Sequence, residues 1–326
     1  MEKNWTTQDM PAQNGRTIVV TGTGGLGFQT ALALAGAGAE VIIAGRNPHK
    51  GSDAVAQIRK SAGQTRVRFE PVDLADLASV ASFGQRLRDS RERIDTLINN
   101  AAVMTPPQRR TTADGFELQF GTNYLGHFAL TAHLLPLLRR GQDPRVVTLS
   151  SIAIRRNAAI KFDDLQAERA YKPMPFYAQS KLACLMFALE LQRRSEAAGW
   201  GLTSIAAHPG ISRTNLLHNA PGRYSAQGLF RSFLWFMFQP AAQGALPPLF
   251  AATAPEARGG RYYGPDRLSE TRGHPGEAAI PAAALDQQVA RRLWEISETL
   301  AKVDFAKAAE TGLRAGSGEA GLAAEV

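Results

Sequence analysis

A tyrosine and a lysine four residues apart, Tyr177 and Lys181, stand in the segment FYAQSKLA at the start of a helical, amphipathic stretch. Residues i and i+4 share one face of a helix, so a phenol and an ammonium can reach the same pocket. A neighbouring cation stabilises phenolate and lowers the pKa of a tyrosine toward the range useful for acid–base catalysis. The pair therefore predicts a proton-transfer site, although a solvated surface pair has the same spacing and partners are needed.

A glycine-rich turn stands in the segment TIVVTGTGGLGFQTALALA, residues 17–35, between an apolar run and a helical pattern. Gly22, Gly24 and Gly27 fit the spacing G-x-G-x-x-G. Such glycines allow a tight turn and a close approach of the backbone to phosphate, and the helix N-terminus that follows attracts the pyrophosphate. The pattern predicts a dinucleotide-binding turn, with a merely tight strand-to-helix turn as the alternative.

The end of the second apolar run, EVIIAG, indicates which dinucleotide is bound. A carboxylate that binds the adenosine ribose is expected at this end, but Glu40 lies at the beginning of the run and Arg46 follows its end. A guanidinium binds the 2′-phosphate of NADP, which a carboxylate would repel. We therefore predict NADP(H) as the cofactor, with NAD(H) as the weaker possibility and a solvated loop arginine as the alternative role for Arg46.

Six short apolar runs supply the elements that must position these residues: TIVVT, EVIIAG, RVRFEPV, IDTLINN, RVVTLSS and LTSIAAH. Each of the first five precedes a segment long enough for a helix, the pattern of a parallel sheet covered on both faces. We predict an α/β fold, a single doubly wound Rossmann domain with a parallel sheet and helices on both faces. The expected boundaries are an N-terminal extension over 1–14, the domain over 15–305 and a disordered tail over 306–326.

Composition sets the class of protein. The 326 residues are 44% hydrophobic and 20% charged, as in an ordinary globular chain. The polar N-terminus and the absence of a membrane-length apolar run predict a cytoplasmic protein. The net charge of +8 comes from scattered basic pairs, so we expect no nucleic-acid partner. The single cysteine, Cys184, is expected to pack as a small apolar residue, and no metal site is expected.

Several further segments occur in a characteristic order along the chain. They are NNAA at residues 99–102, GTNYLGHF around Asn123, TLSS ending at Ser151, YAQSK, and HPGISRTNL at residues 208–216. Together with the glycine turn they resemble the short-chain dehydrogenase/reductase superfamily over nearly the whole chain. The segment NYLGHFAL and, further along the chain, the segment GGRYYGP are similar to those of its retinol-dehydrogenase-like and protochlorophyllide-reductase-like branch. The glycine turn is one residue shorter than is usual in the family, and its usual NNAG ends here in Ala102.

The resemblance implies roles for individual residues. Tyr177 becomes the acid/base, Lys181 its partner on the nicotinamide ribose, Ser151 the substrate-oxygen ligand and Asn123 the anchor of a proton-relay water. Ser150 would be only a structural neighbour of Ser151. Asn99 matches an asparagine on the cofactor side of the sheet, although it, Asp73 and Asn123 could equally be turn, cap or helix-interior residues. The cofactor-binding set is Gly22, Thr23, Gly24, Gly25, Leu26, Gly27, Arg46, Asp73, Leu74, Asn100, Ala101, Tyr177, Lys181, Pro209, Gly210 and Thr214.

The resemblance implies an NADP-dependent oxidoreductase that moves hydride between nicotinamide and a carbonyl or alcohol of a hydrophobic small molecule. A substrate lid is expected over 211–240, where the aromatic run GLFRSFLWFMF lies. The same run, residues 229–238, could instead make a peripheral membrane contact or a subunit interface, so monomer and homo-oligomer both stay open. A non-catalytic NADP(H) sensor is the alternative function. A sugar-nucleotide epimerase is disfavoured, because only about 110 residues follow HPG.

Overall fold

The computed structural model describes residues 4–63, 65–155, 157–212 and 239–314, with side chains described up to residue 311. Within these ranges eight strands form one sheet. The strands are β1 (Thr17–Thr21), β2 (Glu40–Gly45), β3 (Val67–Pro71), β4 (Thr96–Asn99), β5 (Arg145–Leu149), β6 (Thr203–Ala207), β7 (Tyr262–Arg267) and β8 (Arg272–Glu277). The first six coincide with the six apolar runs of the sequence.

The described helices follow the strands and cover the sheet. They are α1 (Gly25–Gly36), α2 (Pro48–Ala62), α3 (Leu77–Ser90), α4 (Gly126–Leu138), α5 (Pro173–Ala198), α6 (Ala241–Gly244), α7 (Leu246–Thr253), α8 (Ala282–Leu285), α9 (Gln287–Ala301) and α10 (Phe305–Arg314). A turn of π-helix, Phe120–Leu125, leads into α4, and short 3₁₀ turns occur at Thr7–Asp9 and Ile152–Arg155.

The strand order is β3-β2-β1-β4-β5-β6-β7-β8, and neighbouring strands are parallel from β3 through β7. The order reverses between β1 and β4, and doubly wound sheets bind ligands at such a reversal, beside the carboxyl ends of the strands. This arrangement confirms the predicted doubly wound fold. The sheet is not wholly parallel, however, because β8 runs antiparallel to β7 at the edge.

Two apolar layers lie on the two faces of the sheet. One contains side chains from α1, α2 and α7, and the other contains side chains from α3, α4, α5, α9 and α10. The second layer includes rings that we call the aromatic cluster: Phe128, Phe187, Trp200, Trp294 and Phe305. Ring centroids in this cluster lie 4.5 to 6.3 Å apart, within the range of favourable aromatic pairs. The C-terminal helices are thereby packed onto α4 and α5.

The two ends of the described chain pack onto the domain. Near the N-terminus, Trp5 is buried and its ring meets that of Phe250 edge to face, with centroids 5.5 Å apart. At the other end, α10 occupies 305–314, so the stretch from 306 that the sequence predicts to be disordered begins as a helix instead. An apolar stripe that includes Phe305 and Ala309, both buried, accounts for this helix. None of the helices in the described ranges is long and apolar enough to cross a membrane.

Candidate active site

A cavity of about 1410 Å³ opens at the carboxyl ends of the parallel strands. It extends from the glycine turn after β1, past the segments that follow β4 and β5, to the loop after β6 and the β7–β8 turn. A smaller cavity of about 610 Å³, between α4 and the C-terminal helices, contains none of the predicted site residues. The predicted residues that line the large cavity are Gly22, Thr23, Gly24, Gly25, Leu26, Asn100, Ala101, Ser151, Tyr177, Lys181, Pro209 and Gly210.

The glycine turn has a geometry that larger residues could not adopt. Gly22 has a φ of +100°, and a Cβ at Gly27 would lie 2.4 Å from the carbonyl oxygen of Gly22. Gly27 therefore lies beneath the turn and allows α1 to approach it. The helix begins at Gly25 without a side-chain cap, and its first turn lines the cavity. Uncapped N–H groups beside a cavity fit the pyrophosphate of a dinucleotide.

Tyr177 and Ser151 both lie on the cavity wall. Ser150, the residue before, also lines the cavity, and its hydroxyl donates to the carbonyl of Lys181 over 2.7 Å. Burial raises the pKa of Tyr177 to about 12, and the neighbouring Ser151 hydroxyl offsets only part of this rise. The phenol is therefore protonated at neutral pH.

Lys181 lies one helical turn after Tyr177, is 3% exposed and lines the same cavity. Its Nζ donates to the carbonyl oxygen of Leu149, at the end of β5, over 2.9 Å. Burial lowers the pKa of this lysine. In this structure burial has the largest effect on the pKa of Tyr177, and the Lys181 ammonium donates to the Leu149 carbonyl. The lowering of the phenol pKa by Lys181 stays a prediction.

Asn123 lies in the π-helical turn and is fully buried behind the cavity wall. Its Oδ1 accepts from the backbone N–H of Val103 at 2.7 Å, and its Nδ2 donates to the Val103 carbonyl at 2.9 Å and to the Ser180 hydroxyl at 3.0 Å. The amide thus clamps the segment after β4 beside α5. These contacts make Asn123 a positioning residue in this structure, and its side chain does not line the cavity.

His127 connects the π-helical turn that contains Asn123 with the end of β1 at Thr21. No motif in the sequence indicated this residue. Its Nδ1 lies 2.8 Å from the carbonyl oxygen of Asn123, which can only accept, so Nδ1 carries the hydrogen. Its Nε2 therefore accepts from the hydroxyl of Thr21 over 2.9 Å. The Thr21 oxygen in turn accepts the N–H groups of Asn100 and Ala101 at 2.8 and 2.9 Å. Burial lowers the pKa of His127 to about 3, so this link contains a neutral ring.

The adenosine end of the cavity contains residues that the sequence analysis did not place there. Arg46 follows β2, as expected, but it is exposed and is absent from the cavity lining. Lys50, Asp53 and Gln57, from successive turns of α2, line the cavity instead. In the sequence, the one feature that could have indicated this group is the spacing of three to four residues, which places the three side chains on one face of a helix.

Besides Gly27 and Arg46, three predicted cofactor-side residues lie outside the cavity lining. The carboxylate of Asp73 accepts from the backbone N–H of Ala75 at 2.9 Å and so closes a turn. Leu74 is a buried core residue. Asn99 is buried in the sheet and donates to the hydroxyl of Thr131 at 3.1 Å. The structure therefore gives these side chains local structural contacts.

The loop after β6 contributes Pro209 and Gly210 to the cavity, and Gly210 has a φ of +61°. Thr214 and the aromatic run expected to form the lid lie within residues 213–238, outside the described residues. The flanking residues Ser212 and Gln239 form a bridge beside the cavity, where the Gln239 side chain donates to the Pro209 carbonyl over 2.6 Å. The lid stays a prediction, as does membrane contact through this run.

The sequence profile described as short chain dehydrogenase matches residues 16–224, more than half of the chain. Polyprenol dehydrogenase of Mus musculus is 41% identical over 292 residues, which are 87% of this chain and 83% of the relative. Retinol dehydrogenase 13 of Mus musculus is also 41% identical over 292 residues, covering 88% of this chain and 84% of the relative.

Solved structures give the same fold. An uncharacterized protein from Mycobacterium paratuberculosis is 39% identical with a TM-score of 0.77, covering 93% of this chain and 99% of the other. A short chain dehydrogenase from Shigella flexneri, solved in complex with NADP, is 22% identical with a TM-score of 0.61 and covers 78% of this chain and 98% of its own. The second likeness concerns the fold alone.

The relatives correct one expectation from the sequence. The prediction of a cytoplasmic protein is contradicted, because close relatives carry the names of retinol and polyprenol dehydrogenases. Retinol and polyprenols are apolar alcohols, which partition into lipid bilayers. A polar N-terminus was therefore an insufficient basis for assigning the compartment.

Proposed function

Because this chain belongs to the short-chain dehydrogenase family, we propose that it transfers hydride between NADP(H) and the alcohol or carbonyl carbon of an isoprenoid-like substrate. The family establishes an enzyme of the short-chain dehydrogenase/reductase type that binds NAD(P)(H). The proposal adds two points to this class: preference for the phosphorylated cofactor and a hydrophobic substrate.

The observation that carries the proposal is the grouping of Ser151, Tyr177 and Lys181 on one wall of the cavity that the glycine turn also lines. The turn and the first residues of α1 would hold the pyrophosphate, and the ammonium of Lys181 would hold ribose hydroxyls. When bound, nicotinamide supplies or accepts the hydride.

The two hydroxyl groups on the wall would handle the proton. In carbonyl reduction, Ser151 donates a hydrogen bond to the substrate oxygen, and Tyr177 transfers its phenolic proton to that oxygen as the new C–H bond forms. In alcohol oxidation the steps reverse, and the Tyr177 oxygen receives the proton of the substrate hydroxyl. The raised pKa of Tyr177 keeps the phenol in the protonated form that reduction requires.

The support for a hydrophobic substrate comes from the relatives and from the cavity lining. Retinol and polyprenols share an allylic primary alcohol attached to an isoprenoid tail. In this chain, Ile152, Ala158, Ala159 and Met174 line the same cavity as Ser151 and Tyr177. These side chains can cover an apolar tail beside the reacting hydroxyl, and burying such a tail contributes binding energy in proportion to its area.

The proposal is tested by following NADPH absorbance with purified enzyme, NADP⁺ and either all-trans-retinol or farnesol. We expect turnover by the wild type, and we expect Tyr177→Phe to lower kcat by roughly 10²- to 10⁴-fold because the group that accepts the substrate proton in oxidation is lost. The affinity for NADP(H), measured by fluorescence titration, should change by no more than a few fold. Full turnover by Tyr177→Phe would remove this residue from the mechanism.

Tyr171→Phe is the matched control. Tyr171 lies on the segment before α5, outside the cavity lining, where its hydroxyl donates to the carbonyl of Pro106 over 2.9 Å. This variant also loses one phenolic hydroxyl and should keep its turnover. If wild type shows NADP(H) binding but no turnover of alcohols or aldehydes, the protein is a sensor and not an oxidoreductase.

A further inference from the structure

The turn between β7 and β8 has an unusual backbone. Leu268, Ser269 and Glu270 have φ values of +49°, +55° and +62°, and none of them is glycine. Side chains with a Cβ seldom adopt this left-handed region, and consecutive examples need support from the surrounding structure. Ser269 and Thr271 of the same turn line the large cavity. The contacts that hold this backbone conformation therefore also fix part of the cavity wall.

The Glu270 carboxylate supplies much of that support. It forms an ion pair with Arg155 and accepts from the N–H of Ala279 over 3.1 Å. Arg155 also donates to the carbonyl oxygen of Ser269 over 2.8 Å. Burial opposes the charged form of Glu270, but the contacts with His208, Ala279 and Arg155 outweigh it and keep the pKa of this carboxyl below its ordinary value.

His208 holds the other carboxylate oxygen. Its Nδ1 accepts from the N–H of Gly210 at 3.3 Å, so in the neutral ring Nε2 carries the hydrogen and donates to Glu270 over 3.1 Å. The ring is 1% exposed, and burial lowers its pKa, which favours this neutral form. Glu270 is thus fixed between a cation on one loop and a histidine on another.

These contacts connect the turn to both loops that carry site residues. Arg155 ends the 3₁₀ turn that directly follows Ser151, while His208 directly precedes Pro209 and Gly210. A backbone hydrogen bond from Ile211 to the carbonyl of Thr271, 2.8 Å long, completes the connection. The turn follows β7, four strand spacings from β1, and so lies about 19 Å from the strand that carries the glycine turn. It therefore borders the substrate end of the cavity.

We propose that Glu270 is a positioning residue for substrate selection, which holds the β7–β8 turn as a fixed wall against the apolar tail of the substrate. This inference rests on the proposed function for its substrate class. A fixed wall favours tails that reach it, because contacts with a pre-ordered surface are made without the cost of ordering that surface. If the turn were more mobile, substrates with long tails would lose part of their binding advantage over substrates with short tails. The contacts with the reacting hydroxyl would not change.

The experiment uses prenol and farnesol, which share an allylic alcohol and differ in tail length. For Glu270→Gln, we expect the ratio of kcat/KM for farnesol to that for prenol to fall about fivefold or more, mainly through KM. The Kd for NADP⁺ and the kcat for prenol should stay within about twofold of wild type. Arg155→Gln should reproduce the effect, and the double variant should add little, because both residues act in one contact.

Hydrogen–deuterium exchange of peptides that cover the turn and Ile211 supplies a readout that needs no turnover. We expect faster exchange in Glu270→Gln and in Arg155→Gln. Glu277→Gln is the matched control, because it removes a carboxylate from the same hairpin, where Glu277 is exposed and pairs with Arg261 at 3.7 Å. It should change neither the selectivity ratio nor exchange in the turn.

The outcomes separate the two proposals. If wild type oxidises neither alcohol, the proposed function fails, and exchange alone then decides whether Glu270 holds the turn. Unchanged exchange in both variants overturns the positioning role. Faster exchange with an unchanged farnesol-to-prenol ratio overturns the role in selection. Should Glu270→Gln fail to fold, Arg155→Gln carries the test, since the Arg155 side chain is 30% exposed.

Discussion

His127 should make the stability of the protein depend on pH, because the folded chain holds its ring in the neutral form. The ring is 2% exposed, and burial lowers its pKa from 6.5 to about 3. A histidine whose pKa is depressed by folding contributes fully above its unfolded pKa, and that contribution is lost as the pH falls toward the folded value. Acidification below pH 6.5 should therefore destabilise the fold at this residue.

The size of the effect follows from the two pKa values. Each pH unit between about 6.5 and 3 costs about 1.4 kcal/mol for one proton that the unfolded chain binds and the folded chain does not. At pH 4.5 the loss reaches about 2 to 3 kcal/mol. For a chain of this size, such a loss corresponds to roughly 5 °C in Tm.

The assay compares Tm by calorimetry between about pH 7.5 and 4.5 for wild type and for His127→Gln, which does not titrate. The variant should be less stable than wild type at pH 7.5, because it loses one or both hydrogen bonds of the ring. As the pH falls to 4.5, this difference should shrink by about 2 to 3 kcal/mol or reverse sign. His49→Gln, which removes an exposed histidine from α2, is the control and should follow wild type. A constant difference between wild type and His127→Gln at all pH values would refute the reasoning.

Two further predictions concern the cofactor. Gly27→Ala should weaken NADP(H) binding by at least about tenfold, measured by fluorescence titration, because its Cβ would lie 2.4 Å from the Gly22 carbonyl oxygen and displace the turn; unchanged affinity would mean that the turn tolerates the shift. Lys50→Ala should weaken NADPH by roughly 10- to 100-fold while leaving NADH little changed, measured as Kd for both cofactors. Arg46→Ala should have the smaller effect, because Arg46 is exposed and lies outside the cavity lining that includes Lys50. Equal losses for NADPH and NADH would contradict a contact with the 2′-phosphate.

The sequence predicts the central sheet well because its strands are buried on both faces. The runs TIVVT, EVIIAG and RVVTL are almost continuously apolar, as strands covered by helices on both sides must be. The last two strands, at one side of the sheet, do not have this pattern. β7 reads YYGPDR and β8 reads RGHPGE, and both are held by pairing that their composition does not reveal.

The same limit applies to the site. Tyr177, Lys181 and Ser151 can be found from the sequence because their motif positions have a characteristic order. The contacts of Asn123 and His127 cannot, because their partners include backbone atoms at Val103 and a hydroxyl at Thr21, up to 106 residues away. Glu270 is equally hidden, since its partners come from three separate segments.

The aromatic cluster can form only after its last member has been synthesised. Trp200 and Trp294 belong to the same cluster but are 94 residues apart along the chain, and Phe305 comes later still. At about 5 to 20 residues per second, a ribosome needs roughly 5 to 20 s to make that interval. During this time the apolar faces of α4 and α5 exist without the helices that cover them in the finished protein. A nascent chain with such exposed surface is a target for chaperones until the segment that contains Phe305 has been made and can complete this part of the core.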